Sequence, residues 1–263
     1  MGRISEALYR ALPLALTAML WLTPSWGWAG TKRIAVAVGH NTGAGDQPPL
    51  RFAQDDAAKL ADVLVELGGV DAADMFLVQG QGAAAVRGAL DRARAAITRA
   101  RAVPDDRVVL TFYYSGHSDG KAIELGKERI TYAELRAWLS TTGADVRIAI
   151  IDSCKSGALV RPKGANRGPA FDVSMVNELS ATGEVILTSA AADEDALESA
   201  EIRGSFFTHH LVSGLHGAAD ASGDGVVTLS EAYGYAFDRT VTSTAAAGAV
   251  PQHPTYDYRV AGR

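Results

Sequence analysis

Two apolar runs, RVVLTFYYSGHSDG and VRIAIIDSCKSG, limit the possible folds of this chain more than any other feature. Each is continuously apolar, rich in β-branched and aromatic residues, and closed by glycine and small polar side chains. That is the pattern of a strand buried on both faces of a parallel sheet. The first run delivers His117 and the second delivers Cys154, the sole cysteine of the chain. In open α/β sheets, ligands bind in the crevice beyond the carboxyl ends of the strands. An imidazole and a thiol brought there can meet over one substrate, as a histidine base and a cysteine nucleophile.

Strands and helical patterns alternate around these runs. KRIAVAV at 32–38 reads as a first strand, followed by the loop GHNTGAGDQPP. Over 52–67, Phe52, Leu60, Leu64 and Leu67 recur at helical spacing and stop at Gly68 and Gly69. Residues 75–78 read as a second strand, 83–102 as an Ala/Arg helix, and Pro104, Asp105 and Asp106 as the turn into a third strand, 108–114. A hairpin is expected over 122–130, and Thr131 with Glu134 predicts a capping box for a helix to residue 140. Strands at 146–151 and 184–189 and helices at 206–215 and 230–241 complete the pattern. Such alternation predicts an α/β fold, a mainly parallel sheet in three layers.

With 263 residues, 48% hydrophobic and 21% charged, the chain suits one globular domain with a well-buried core. A net charge of -5, spread without a basic stripe, excludes the electrostatic footprint of a nucleic-acid binder. At the N-terminus, Arg3 and Arg10 precede an apolar stretch at 11–22, followed by Pro24, Gly27 and Ala29. This is the pattern of a secretory signal over 1–29, with a domain at 30–263 and a secreted or periplasmic location. No stable membrane association is then expected once the signal is removed. The alternative is an uncleaved anchor, for which the apolar core falls short of the roughly 20 residues that span a bilayer. An exported chain with one cysteine can form no internal disulfide, so its thiol is either incidental or functional.

The motifs YYSGH at 113–117, DSCKSG at 152–157, LRFAQDDAAKLADVL at 50–64 and GSFFTHHLVSGL at 204–215 resemble the caspase-like cysteine peptidases, in particular the metacaspase and bacterial caspase-like branch. They occur in the family's order and span nearly the whole predicted domain. The resemblance implies a caspase-type sandwich with a six-stranded sheet, protein or peptide substrates, His117 as the catalytic histidine and Cys154 as the nucleophile. The separation of the two is a little shorter than the roughly 50 residues of caspases. Two positions depart from the family pattern. Ser118 replaces the glycine that usually follows the histidine, which bears on the oxyanion donor there. Lys155 stands where metacaspases often carry histidine, and its ammonium would favour the thiolate.

The chemistry follows from the side chains themselves. A free thiol has a pKa of about 8.5, and an adjacent imidazole that takes its proton raises the population of nucleophile. Animal caspases read a substrate aspartate with arginine and with glutamine two residues before the nucleophile, whereas this chain has Asp152 at that position. Asp56 resembles the second pocket acid of metacaspases. Two carboxylates in one pocket accept an Arg or Lys side chain and repel an acidic one, which predicts cleavage after Arg or Lys. The bland alternatives are a turn or N-cap role for Asp152 and a solvated helix face for Asp56. Arg51, if turned into the pocket, would favour aspartate specificity instead.

Further along, DASGDGVVTLSE fits the calcium-loop template, with Asp220, Ser222 and Asp224 at odd positions, Gly225 at the turn and Glu231 as the last ligand. The alternative is a DG turn before the last helix. The dyad itself requires no cofactor; Ca2+ would enter as an activator or a structural ion. The segment 155–172 reads as an exposed loop, with Lys163 and Arg167 as candidate self-processing sites or as a solvated basic surface. His209, His210 and His253 are too scattered to suggest a metal site and read as surface or packing residues. The competing class for the whole chain is a caspase-fold regulatory or calcium-dependent binding module with weak or absent catalysis.

Overall fold

The computed structural model describes residues 30–103, 106–159 and 182–260. The segment 1–29 and the candidate processing residues Lys163 and Arg167 lie outside the described residues. In chain order the elements are β1 (Thr31–His40), α1 (Ala53–Glu66), β2 (Val70–Gln79), α2 (Ala83–Ala100), β3 (Arg107–Gly116), β4 (Ala122–Leu125), β5 (Glu128–Thr131), α3 (Tyr132–Ser140) and β6 (Val146–Asp152). They continue with β7 (Gly183–Thr188), β8 (Glu198–Ser199), β9 (Gly204–Ser205), α4 (Phe206–Ser213), α5 (Leu229–Ala246) and β10 (Thr255–Val260). Six strands form the main sheet in the order β10-β7-β6-β3-β1-β2. All pair in parallel except β10, which runs antiparallel to β7 along one edge. The expected six-stranded, mainly parallel sheet is therefore present.

Strand alternation sorts the core onto two faces. Along β1, Ile34, Val36 and Val38 pack with α2 and α3, while Ala37 faces α1. Along β3, Tyr114 joins the first cluster and Tyr113 joins the second with α4 and α5. Both tyrosines are fully buried, as expected of a strand covered on both sides. Among the described residues, no helix is long and apolar enough to cross a membrane.

Helix starts are fixed by hydrogen bonds, not all of them local. The α1 N-cap position, Phe52, supplies no side-chain cap. Instead the Glu198 carboxylate accepts from the N–H groups of Arg51 and Phe52, and Asn41 Oδ1 accepts from Gln54 N–H at 3.1 Å. At α3 only half of the expected capping box forms: Thr131 accepts from Glu134 N–H, but the Glu134 carboxylate pairs with Arg87 at 2.7 Å. A full box caps α5, between Thr228 and Glu231. One further expectation is corrected. The start of the segment read as an exposed loop is a short 3-10 turn, Ser156–Leu159, with Ser156, Gly157 and Leu159 buried. The glycine of DSCKSG makes this possible, since a Cβ on Gly157 would lie 2.6 Å from the Ala192 amide nitrogen.

Candidate active site

β3 and β6 are neighbours, and their register sets Ser115 opposite Asp152. Both chains leave the sheet just beyond this pair, so His117 and Cys154 follow at the same level of the crevice. Gly116 permits the exit of β3: a Cβ there would sit 2.3 Å from the Tyr114 hydroxyl. That hydroxyl lies 2.7 Å from the carbonyl oxygens of both His117 and Glu124, fixing the backbone that carries the imidazole. The loop after β1 closes on the ring, since a Cβ on Gly43 would meet His117 Cγ at 2.7 Å. His117 Nε2 is buried and has no hydrogen-bonding partner among the described residues.

Cys154 is half-buried, and its Sγ points at the Ala196 carbonyl oxygen at 3.9 Å. Its turn is held on both sides. Ser153 N–H donates to Ser189 Oγ at 3.1 Å, and Lys155 N–H donates to the Glu194 carbonyl at 2.9 Å. Lys155 itself takes a left-handed backbone (φ 55°), sparsely populated for a residue with a Cβ. Burial pushes the Cys154 thiol up, and the charges of Asp195 and Asp152 act in the same direction. The expected effect of Lys155 is thereby corrected: its side chain is exposed, and the nearest charges that shift the thiol are acidic.

The segment flanking the thiol is anchored from the C-terminal end of the chain. Buried Gln252 accepts from Leu197 N–H at 2.9 Å and donates to the Ser189 carbonyl at 2.7 Å. The Glu194 carboxylate receives His253 through both its backbone N–H, at 2.8 Å, and its ring Nδ1, at 2.9 Å.

All four residues expected to act on substrate line one pocket: Asp56, His117, Asp152 and Cys154, together with Ser115, Glu198 and Ser205. Asp56 is 1% exposed and Asp152 3%, so neither is a solvated surface acid. Asp152 Oδ2 accepts from the hydroxyls of Ser205 and of Thr208, the latter at 2.6 Å, while Oδ1 is buried without a partner. Asp56 accepts from Ser205 N–H at 2.9 Å and from Lys59 Nζ at 3.2 Å. Burial, and then the charge of Asp152, push Asp56 up to about 7. Burial raises Asp152 as well, against the opposing hydrogen bonds of Ser205 and Thr208. Arg51 is exposed, with its guanidinium 5.1 Å over the Phe52 ring, and does not line the pocket.

Ser118 is buried beside the hairpin, where its Oγ bonds the Tyr132 hydroxyl at 2.6 Å and accepts from Gly120 N–H at 3.0 Å. Its side chain replaces the usual glycine hydrogen without entering the pocket.

The calcium-loop candidates fold a turn. Asp220 accepts from Gly223 N–H at 2.7 Å and Gly225 N–H at 2.9 Å, and Asp224 accepts from Val226 N–H at 2.8 Å. Glu231 accepts from Ser222 N–H at 3.1 Å and Thr228 N–H at 2.9 Å, and the Ser222 hydroxyl donates to Asp220. Among the described residues, no three His, Cys, Asp or Glu side chains gather as a metal site. The carboxylates accept from backbone amides of the turn itself.

Sequence reasoning missed Ser205, Thr208, Glu198, Asp195 and Gln252. The GSFFT motif could have pointed to Ser205, which is also the N-cap of α4 through Thr208 N–H. Asp195, Glu198 and Gln252 carry no local signal.

A family model for the caspase domain, peptidase family C14, matches residues 32–232. Among solved structures, the chain is similar to the crystal structure of caspase-1 from Spodoptera frugiperda. The sequence identity is 12% and the TM-score 0.52, with 87% of this chain and 85% of that chain covered. At that identity the likeness is one of fold. No curated protein matches the chain in sequence.

Proposed function

Because the chain belongs to the caspase domain family of peptidases, we propose that it is a cysteine endopeptidase that cleaves peptide bonds after Arg or Lys, with Cys154 as nucleophile and His117 as base. The observation that carries this reading is the convergence of a thiol, a free imidazole nitrogen and two buried carboxylates on one pocket. Burial and the nearby acids disfavour the Cys154 thiolate, which supports a role for His117 in taking the thiol proton as the nucleophile forms. Sγ then attacks the substrate carbonyl carbon. Backbone N–H groups at the Cys154 turn and beside His117 would receive the developing oxyanion. His117 returns the proton to the departing amine, and a water deprotonated by His117 hydrolyses the thioester.

Asp152 and Asp56 would receive the substrate's cationic side chain, with Asp152 Oδ1 as an acceptor that has no hydrogen-bonding partner among the described residues. Arg51 does not line the pocket, which supports a basic over an acidic substrate side chain. Export is part of the proposal, and N-terminal sequencing of the mature protein should find a start near Gly30. The activity is tested with a thiol-reactive arginyl peptide probe on the wild type, Cys154→Ala and His117→Ala. Labelling of the wild type alone is expected. Absence of any Cys154-dependent turnover of arginyl or lysyl substrates would leave a caspase-fold binding module as the reading.

A further inference from the structure

We propose that the Asp56 and Asp152 pair holds a single proton in the free pocket and releases it to solvent when a cationic substrate side chain enters, with Ser205 as the residue that positions both carboxylates for this exchange. The inference rests on the Arg/Lys reading above and adds a proton to its stoichiometry.

The geometry makes the two acids one unit. Ser205 reaches both, donating its N–H to Asp56 Oδ2 and its hydroxyl to Asp152 Oδ2. Two carboxylates sharing a buried site do not both ionise without a counter-charge, and their titration then belongs to the pair. The counter-charge beside them is small. Lys59 Nζ contacts Asp56 from a side chain 37% exposed, and also donates to the Arg203 carbonyl. Among the described residues, the other faces of the pocket add no fixed cation. From β3, Tyr113 is pushed well above its ordinary value, chiefly by burial and then by these same carboxylates, and stays neutral with its hydroxyl 2.6 Å from Thr208 Oγ1. Glu198 and Cys154 line the same pocket, and Asp195 adds negative charge beside the thiol. His117 also lines the pocket and is the one other group there able to become cationic. Asp152 Oδ1, buried and without a partner, is where an incoming donor would replace the proton. The rise of Asp56 to about 7 agrees with this arrangement.

The charges balance. The singly protonated pair carries one negative charge; after exchange the pair carries two, the substrate supplies one positive, and the proton is in the buffer.

Titration calorimetry with benzamidine as the cationic probe, near pH 7 in buffers of different ionisation enthalpy, measures the proton directly. Release of about half a proton per benzamidine is expected near pH 7, where the free pair is about half protonated, shrinking as the pH is raised. The affinity should weaken by up to about tenfold per pH unit on acidification below the pair's titration. Asp56→Asn should abolish the release and flatten this dependence; Asp152→Asn provides a second variant should the first fail to fold. Ser205→Ala should move the midpoint of the pH dependence upward, and Ser205→Thr should restore it. Wild-type binding without proton release overturns the exchange and leaves the cation pocket standing. No benzamidine binding at any pH overturns the Arg/Lys pocket together with the exchange. Release that survives Asp56→Asn and disappears in His117→Gln assigns the proton to the imidazole and overturns the proposal, and an unchanged midpoint in Ser205→Ala removes Ser205 from it.

Discussion

Ser115 on β3 stands opposite Asp152 on β6, and this single register pair sets the depth of the whole site. Each strand carries its reactive residue two positions beyond the pair, one an imidazole and the other a thiol. A slip of one residue would turn the side chains of the slipped strand to the opposite face of the sheet and break the alignment.

The dyad gives the first prediction. With an arginyl amide substrate, Cys154→Ala should leave no measurable turnover. His117→Ala should lower kcat/KM by about 100- to 10,000-fold, the ordinary contribution of a positioned general base. A His117→Ala enzyme within about threefold of the wild type would rule out the imidazole as the base.

Asp56 makes stability depend on pH with an uncommon sign. Its folded value of about 7 lies above its ordinary 3.8, so between these limits the folded state keeps a proton that the unfolded state has lost. Stability therefore falls as pH rises through this window, by an amount on the order of a few kcal/mol. Asp56→Asn should remove that slope and be the more stable form at pH 8. His210 opposes the trend: burial holds it down at about 4, so its contribution is lost as pH falls from 6.5 towards 4. Urea unfolding of wild type and Asp56→Asn across this range isolates Asp56 by difference. A constant gap between the two curves would contradict the assignment.

Tyr114 positions His117 through the backbone. Tyr114→Phe leaves the buried Glu124 carbonyl without this donor, while Glu124 N–H still reaches the His117 carbonyl, and should cost about 1–3 kcal/mol in chemical unfolding. In a steady-state assay it should lower kcat with little change in KM. A selective rise in KM would instead place the effect in the substrate pocket.

The turn before α5 distinguishes a cap from a calcium ligand. Thr228→Ala removes the N-cap hydroxyl and should destabilise the protein by about 1 kcal/mol, equally with and without a calcium chelator. Destabilisation confined to calcium-containing buffer would return Glu231 to a ligand role.

The sheet and the reactive pair were legible because their signals are local. An apolar run closed by SGH or DSCKSG states both the strand and the residue it delivers, and the helical spacing of Leu60 and Leu64 states α1. What surrounds the pair was illegible for a physical reason. Glu198 caps α1 and Ser205 reaches Asp56 across separations of about 150 positions, and neither bond leaves a pattern in sequence. β10 was legible too, since TYDYRV alternates aromatic and charged residues with the period of an edge strand, but it was missed. The expected influence of Lys155 failed for a different reason. The left-handed turn leaves its side chain exposed, while the loop lays Asp195 beside the thiol.

Gln252 and His253 lie beyond the last residue matched by the family model, yet they grip the segment over Cys154 at Ser189, Glu194 and Leu197. A protein clipped just after α5 would retain every reacting group in sequence while losing the brace on the nucleophile's wall. Damage at the tail would then register as loss of turnover at a centre far earlier in the chain.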